Sequence, residues 1–290
     1  MPEGIIIRSI AGFLDVEDRE GRTVVRCKPK GNFRKKRITP LVGDHVIYSK
    51  AGWVEEILPR HNTLIRPNVA NVDLAVVVQA ASYPEPNFLL VERMLVMIMQ
   101  QGIEPVIIFN KWDGPDGPAE VVKRAAEYEK AGFRVLRTSA LTGAGVEELR
   151  SLLHDRTSVF AGPSGVGKSS LLNRLLPDAA QETGSLSEKI QRGRNTTRVA
   201  ELLPLAGGGY VADTPGFTSL TLRMPREELQ NYYPEFAAYR EHCFFTGCQH
   251  LEEPDCAVRE AWREGLIQDG RYRGYRDLYQ ELNGEQEIAK

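Results

Sequence analysis

No apolar run in this chain approaches the length needed to cross a bilayer. The longest, LAVVVQAA (74–81) and MLVMIM (94–99), are far shorter than the roughly 20 residues a spanning helix needs. Cysteine is scarce: Cys27, Cys243, Cys248 and Cys256 are the four among 290 residues, and three of them fall within fourteen residues, which argues for metal rather than a disulfide framework in a cytosolic chain. No sign of charge dominates, since 37 Lys and Arg stand against 39 Asp and Glu, a net charge of −2. That excludes a polycation binding nucleic acid by bulk charge. The opening MPEGIIIRSI has an acid where a secretory leader has cations, and its apolar run is short. A cytoplasmic chain with no membrane partner is expected, with a monomer as the default.

What is present is unevenly spread. Residues 1–70 hold 13 Lys and Arg against 8 Asp and Glu, hence +5, which leaves −7 for the remainder. The cations crowd into CKPKGNFRKKR (27–37), as Lys28, Lys30, Arg34, Lys35, Lys36 and Arg37. A solvated loop is one reading; a loop touching the phosphates of RNA is the other. Around it, GIIIRSIAGFLDVED (4–18), GRTVVRCKP (21–29), GDHVIYS (43–49) and GWVEEILP (52–59) alternate apolar and polar residues between turn residues, as strands do. Five or so short strands make a small β-barrel. An OB-fold is the natural candidate for a basic one, and the pattern also allows an SH3-like barrel.

From residue 70 the texture changes to alternating strands and helices. VDLAVVVQA (72–80) and PVIIFNKWD (105–113) are continuous apolar strands, and FLLVERMLVMIMQQG (88–102) and AEVVKRAAEYEKAG (119–132) are amphipathic helices. This is the signature of an α/β domain with a mainly parallel sheet. The expected organisation is multidomain: an all-β OB-type RNA-binding barrel over 1–67, a central α/β P-loop domain over 68–222, and a small, mainly α, metal-binding domain over 223–290.

Gly162-Pro163-Ser164-Gly165-Val166-Gly167-Lys168-Ser169 matches the P-loop pattern in full, and Ser170 follows. Glycines let backbone N–H groups curl around phosphate oxygens, Lys168 supplies a cation to the β- and γ-phosphates, and the Ser169 hydroxyl is a ligand for Mg²⁺. Asp213-Thr214-Pro215-Gly216 ends a later strand. Asp213 can hold the Mg²⁺ shell there, and the Gly216 N–H can sense the γ-phosphate.

Asn110-Lys111-Trp112-Asp113 ends the strand before residue 114, and Thr138-Ser139-Ala140 ends the next. Asp113 can accept hydrogen bonds from N1–H and the exocyclic amine of guanine, a pair adenine does not offer. Asn110 can bridge base and loop, the Lys111 stem can lie along the ring, and the Ala140 N–H can meet the guanine O6. The chain order is therefore base tetrad, TSA, P-loop, DTPG, a cyclic shift of the usual GTPase order. A site built at strand ends depends on adjacency in space, so the shift is tolerated.

Cys243-x4-Cys248-x-His250-x5-Cys256 offers three thiolates and an imidazole, a complete set for one structural Zn²⁺; Cys27 reads as a small buried hydrophobe. Tyr272, Tyr275, Tyr279 and Leu282 recur at helical spacing as a packing face. The interleaved Arg271, Arg273 and Arg276 leave RNA contact as a second reading.

The permuted order, with NKWD (110–113), TSA (138–140), GPSGVGKSS (162–170), GRNTT (193–197), DTPG (213–216), the cysteine cluster 243–256 and a basic barrel in front, resembles the RsgA or YjeQ family of small ribosomal subunit biogenesis GTPases. The resemblance covers essentially the whole chain. It implies an OB-fold, a circularly permuted GTPase domain and a zinc-binding domain. It also implies binding of the small (30S) subunit and its 16S rRNA late in assembly, with GTP hydrolysis stimulated by the ribosome. By the family pattern Thr197 is the switch residue that meets Mg²⁺. The family places His before the Thr pair, whereas here Asn195 stands there, and Phe217 occupies the position where many GTPases carry a water-orienting Gln. Asn195 becomes the candidate for orienting the attacking water. An RNA-binding, GTP-dependent scaffold with negligible hydrolysis is the alternative.

Overall fold

The computed structural model describes residues 1–21, 23–64, 68–176, 201–205, 207–213 and 221–288. The chain divides into two compact units. One comprises Met1–Val76, Gly145–Gly162 and Lys168–Thr218; the other comprises Val77–Ala144, Pro163–Gly167 and Ser219–Lys290. Among the described residues no helix is long and apolar enough to cross a membrane.

In the first unit, β1 (Glu3–Ile10), β2 (Phe13–Asp18), β3 (Val24–Pro29), β4 (His45–Ser49) and β5 (Trp53–Ile57) close a five-stranded barrel. Its order is β1-β2-β3-β5-β4 and back to β1, with β3 and β5 parallel and the other pairs antiparallel. The parallel pair forces a crossover, made here by the segment holding the short helix α1 (Asn32–Lys35). This Greek-key closure is that of an OB barrel, the distinction the strand pattern had left open. Ile6, Val16, Cys27, Val46 and Val54 fill the interior with no exposed surface, and burial pushes the Cys27 thiol upward in pKa. On the same unit β1 pairs β12 (Glu201–Pro204), which pairs β13 (Tyr210–Asp213), which runs parallel to β11 (Thr157–Ala161). The two-residue strands β6 (Thr63–Leu64) and β7 (Val69–Ala70) and the helices α4 (Val146–Leu153) and α5 (Lys168–Leu175) belong to this unit as well.

In the second unit, β10 (Arg134–Arg137) and β9 (Glu104–Asn110) run parallel beside β8 (Leu74–Ala80), whose first three residues belong to the other unit. All seven residues of β8 are buried, the reason its sequence is apolar without alternation. Helix α2 (Phe88–Gln100) is capped by the Asn87 side chain, which accepts a bond from Leu90 N at 3.0 Å. Helix α3 (Ala119–Lys130) follows β9. The last segment carries two 3₁₀ turns, the short helices α6 (Ala237–Arg240) and α7 (Ala257–Arg263), and the long helix α8 (Asp269–Ile288).

Tyr272, Tyr275, Tyr279 and Leu282 of α8 are buried with Tyr233, Phe236 and Val258, as their spacing predicts. Arg271 is also buried, 1 % exposed, which removes it as an RNA contact. Its guanidinium pairs with Glu92 on α2, donates to Glu235 Oε1 at 2.7 Å and lies 4.5 Å from the Tyr233 ring centroid. Arg273, exposed, pairs with Asp269. Close approach of α8 to α2 requires glycine at 274, where a Cβ would sit 2.6 Å from Glu92 Cγ. Gly274→Ala is therefore expected to destabilise the chain by about 1–3 kcal/mol through overpacking, read as a lower denaturant midpoint at unchanged slope.

Candidate functional site

The residues expected to read the base lie in the second unit and hold one another in place. Asn110, fully buried at the end of β9, donates from Nδ2 to Val166 O in the P-loop at 2.8 Å. Its Oδ1 accepts from Thr138 Oγ1 and from Ala140 N, each at 3.2 Å. One side chain thus ties the tetrad, the TSA turn and the P-loop together. Residue 167 must be glycine: its φ is 93°, and a Cβ would stand 2.3 Å from Asn110 Nδ2. Lys111 reaches across to donate from Nζ to Tyr83 O at 2.6 Å. Asp113 is exposed, ready for a ligand, while its Oδ1 accepts the Ser139 hydroxyl at 2.6 Å. Ser139 is itself buried, with its Oγ accepting Thr142 N at 3.0 Å, so the carboxylate is held in one orientation.

The residues of the first unit expected on the phosphate side begin where the P-loop enters α5. Lys168 is half-buried and donates to Gly162 O at 2.8 Å; burial lowers its pKa. Ser169 and Ser170 follow on the first turn of α5, where the helix dipole favours an anion. Within the P-loop Ser164 and Gly165 are exposed and Pro163 half-buried. Asp213 is the last residue of β13, placed there by the parallel register that pairs Val159 with Ala212. Gly216 and Phe217, and the expected switch residues Asn195, Thr196 and Thr197, lie outside the described residues, as does the side chain of Asp213. Ser169 and Asp213 are hard oxygen donors, the kind that suits Mg²⁺.

Cys243, Cys248, His250 and Cys256 converge, their donor atoms all within 4.8 Å of one another. A tetrahedral zinc ion, with bonds of about 2.3 Å to sulfur and about 2.0 Å to nitrogen, spaces its ligands about 3.8 Å (S to S) and about 3.5 Å (S to N) apart. Cys243 Sγ and Cys256 Sγ are 3.9 Å apart, and His250 Nδ1 lies 3.6 and 3.4 Å from them. His250 Nε2 meets Gln230 Oε1 at 2.9 Å, which places the ring proton there and leaves the Nδ1 lone pair for the metal. Burial lowers the His250 pKa to about 4, so the imidazole is neutral, as a ligand must be. The cluster fits zinc. Its four protein donors leave no open position for catalysis.

On the barrel, Lys28, Lys35, Lys36 and Arg37 are exposed, while Lys30 pairs with Glu55; the side chain of Arg34 is outside the described set. Two aromatic rings that are not among the expected site residues stand beside them. Phe13 and Trp53 are 38 % and 42 % exposed, Lys28 Nζ lies 5.0 Å from the Phe13 centroid, and Lys28 and Trp53 are register partners across β3 and β5. The signal was present: Ala11-Gly12-Phe13 and Ala51-Gly52-Trp53 both put an aromatic directly after a turn.

A family model described as RsgA GTPase matches residues 57–223, and one described as RsgA N-terminal domain matches residues 3–53. A protein of Caldanaerobacter subterraneus subsp. tengcongensis named small ribosomal subunit biogenesis GTPase RsgA is 49% identical over 284 residues, covering 97% of this chain and 95% of its own. A namesake from Agathobacter rectalis is 46% identical over 299 residues, covering 98% and 99%. Among solved structures, YjeQ from Thermotoga maritima is similar with a TM-score of 0.82 at 36% identity, covering 98% of this chain and 99% of its own. YloQ, described as a circularly permuted GTPase, is similar with a TM-score of 0.83 at 36% identity, covering 98% and 96%.

Proposed function

The chain belongs to the RsgA family of GTPases, and from that membership we propose that it binds the small ribosomal subunit late in its assembly and there hydrolyses GTP to GDP and phosphate. The observation that carries the GTP site is the Asn110 side chain, which bonds to both the P-loop and the TSA turn. A shared nucleotide site accounts for a common polar anchor buried among those three segments. Asp113 and Ala140 read the guanine, the Ala140 N–H exchanging its bond to Asn110 Oδ1 for the base, with Asn110, Lys111 and Ser139 positioning them. Residues 162–170 take the phosphates, and Lys168 supplies the cation.

Mg²⁺, when bound with GTP, supplies charge neutralisation between the β- and γ-phosphates. Ser169, Asp213 and Thr197 are its protein ligands in this reading, and Gly216 senses the γ-phosphate. One zinc ion held by Cys243, Cys248, His250 and Cys256 serves the structure. The functional division is 1–67 for RNA binding, 68–222 for GTP and 223–290 for the zinc module. Lys28, Lys30, Arg34, Lys35, Lys36 and Arg37 meet the 16S rRNA backbone, and Phe13 and Trp53 offer ring faces to unpaired bases.

Phe217 has no polar atom with which to hold water, so intrinsic hydrolysis is slow, and Asn195, which stands where the family pattern places His, is the group that orients the attacking water. GTP turnover titrated with isolated small subunits is expected to rise by about a hundredfold, the scale on which a positioned proton-transfer or water-orienting group acts. Asn195→Ala is expected to remove most of that rise, and Asn195→His to restore it. Flat turnover across the titration would favour a GTP-dependent RNA-binding scaffold, the reading that Phe217 itself invites.

A further inference from the structure

We infer that the metal module carries a docking face for a cationic polypeptide segment, centred on Phe244 and Phe245. These rings are 75 % and 44 % exposed and lie edge to face, 5.1 Å between centroids at 82°. They occupy the turn between two metal ligands, Cys243 and Cys248, and that turn is pinned twice. Phe244 N donates to Asp255 O and Cys248 N donates to Phe245 O, both at 3.2 Å. With the cysteines on either side turned in toward the ligand cluster, the rings cannot fold back into the interior. Two adjacent phenylalanines held in water by a rigid turn mark an interaction surface.

The charge around the rings selects the partner. Glu241, Glu252 and Asp255 are exposed, and Glu253 is partly buried. The one arginine in that stretch, Arg240, donates to Asn231 Oδ1 at 2.8 Å. Three thiolates around a divalent ion add a further negative charge. RNA phosphates would be repelled here. Lys and Arg side chains, in contrast, gain both carboxylates and ring faces. The barrel shows the opposite pairing, since its exposed Phe13 and Trp53 flank Lys28. The chain thus carries two aromatic faces of opposite sign, one suited to RNA and one to a basic protein. The inference rests on the proposed function for its setting: the partner is a Lys/Arg-rich segment of a small-subunit protein.

The test uses the full chain with p-benzoylphenylalanine in place of Phe244, bound with a non-hydrolysable GTP analogue to isolated small ribosomal subunits and irradiated. An adduct to protein, mapping to a Lys/Arg-rich segment, is expected. An adduct to rRNA, or none above the level of the same probe at Val122, overturns the inference. In parallel, the Phe244→Ala/Phe245→Ala double variant and Glu252→Lys are each expected to weaken subunit binding about tenfold, with GTP affinity and metal content unchanged. Glu252→Lys touches no ligand and keeps the test open if the double variant loses metal. Unchanged subunit affinity in both sinks this inference alone. Failure of the unmodified chain to bind subunits at all sinks the proposed function and this inference together.

Discussion

Asp113→Asn is expected to lower GTP affinity about a thousandfold and to raise XTP affinity to within about tenfold of the original GTP value. In the proposed site the carboxylate accepts two bonds from guanine, at N1–H and the exocyclic amine, and bonds to a charged acceptor contribute roughly 1.5–3 kcal/mol each. Asparagine keeps one acceptor and presents an NH₂ group where the second had been, so donor faces donor. Xanthine carries a carbonyl in place of that amine and turns the clash into a bond. The structure determines which oxygen survives as the acceptor. The Ser139 hydroxyl donates to Oδ1 at 2.6 Å, and Ser139 is buried and fixed by Thr142 N. In the variant the carbonyl therefore keeps the Ser139 side and the amide nitrogen faces the ligand. Competition of GTP, XTP and ATP against a fluorescent guanine nucleotide reads the result. An equal loss for GTP and XTP would show that the carboxylate serves the fold rather than the base.

Much of this site was legible before the fold was, because its chemistry sits at strand ends and strands announce themselves by composition. FNKWDG follows an apolar run and TSA follows another, so each motif came with its local context. What could not be read was the set of long-range partners. Asn110 was expected to bridge the base and a neighbouring loop. The loops it joins, at Val166 and Ala140, are fixed only by the packing of β9 beside β10 and by the P-loop turn.

Arg271 is the sharper case. Its helical position next to Tyr272 permitted either burial or RNA contact. The carboxylate that decides the matter, Glu92, lies 179 residues earlier with nothing in its own helix to announce the pairing. Burial works against the Arg271 charge, but Glu92 and Glu235 outweigh it and hold the guanidinium protonated. The barrel type was hidden for a similar reason. Strand pattern sets how many strands there are, whereas the parallel β3–β5 pairing that marks an OB barrel depends on where the connection after Pro29 leads.

Stripping the metal is expected to lower the melting temperature by about 10–20 °C, which corresponds to roughly 5 kcal/mol in a unit of this size. That is part of the ~10–16 kcal/mol that structural zinc contributes to isolated finger peptides. The loss is partial because α8 is anchored independently through Arg271 to Glu92 and Glu235. The ligand loop is anchored otherwise only by hydrogen bonds that depend on its shape, among them Tyr272 OH to His250 O at 2.7 Å, Tyr275 OH to Gln249 O at 2.8 Å and His250 Nε2 with Gln230 Oε1 at 2.9 Å. Without metal, burial pushes the Cys248 thiol up to about 12. Cys248 and Cys256, both shifted upward, then face the neutral His250 ring with no ion to draw them together, and the turn keeps only its hydrogen bonds. Chelation should therefore remove hydrogen-exchange protection first from Cys243–Cys256 and then from the Tyr272–Tyr279 face of α8. Cys256→Ser should reproduce the effect, with zinc content falling from one per chain toward none. Cys27→Ser, in the barrel interior, should leave zinc content at one. A melting curve unchanged after stoichiometric loss of zinc would mean that the aromatic core of α8 alone holds the module together.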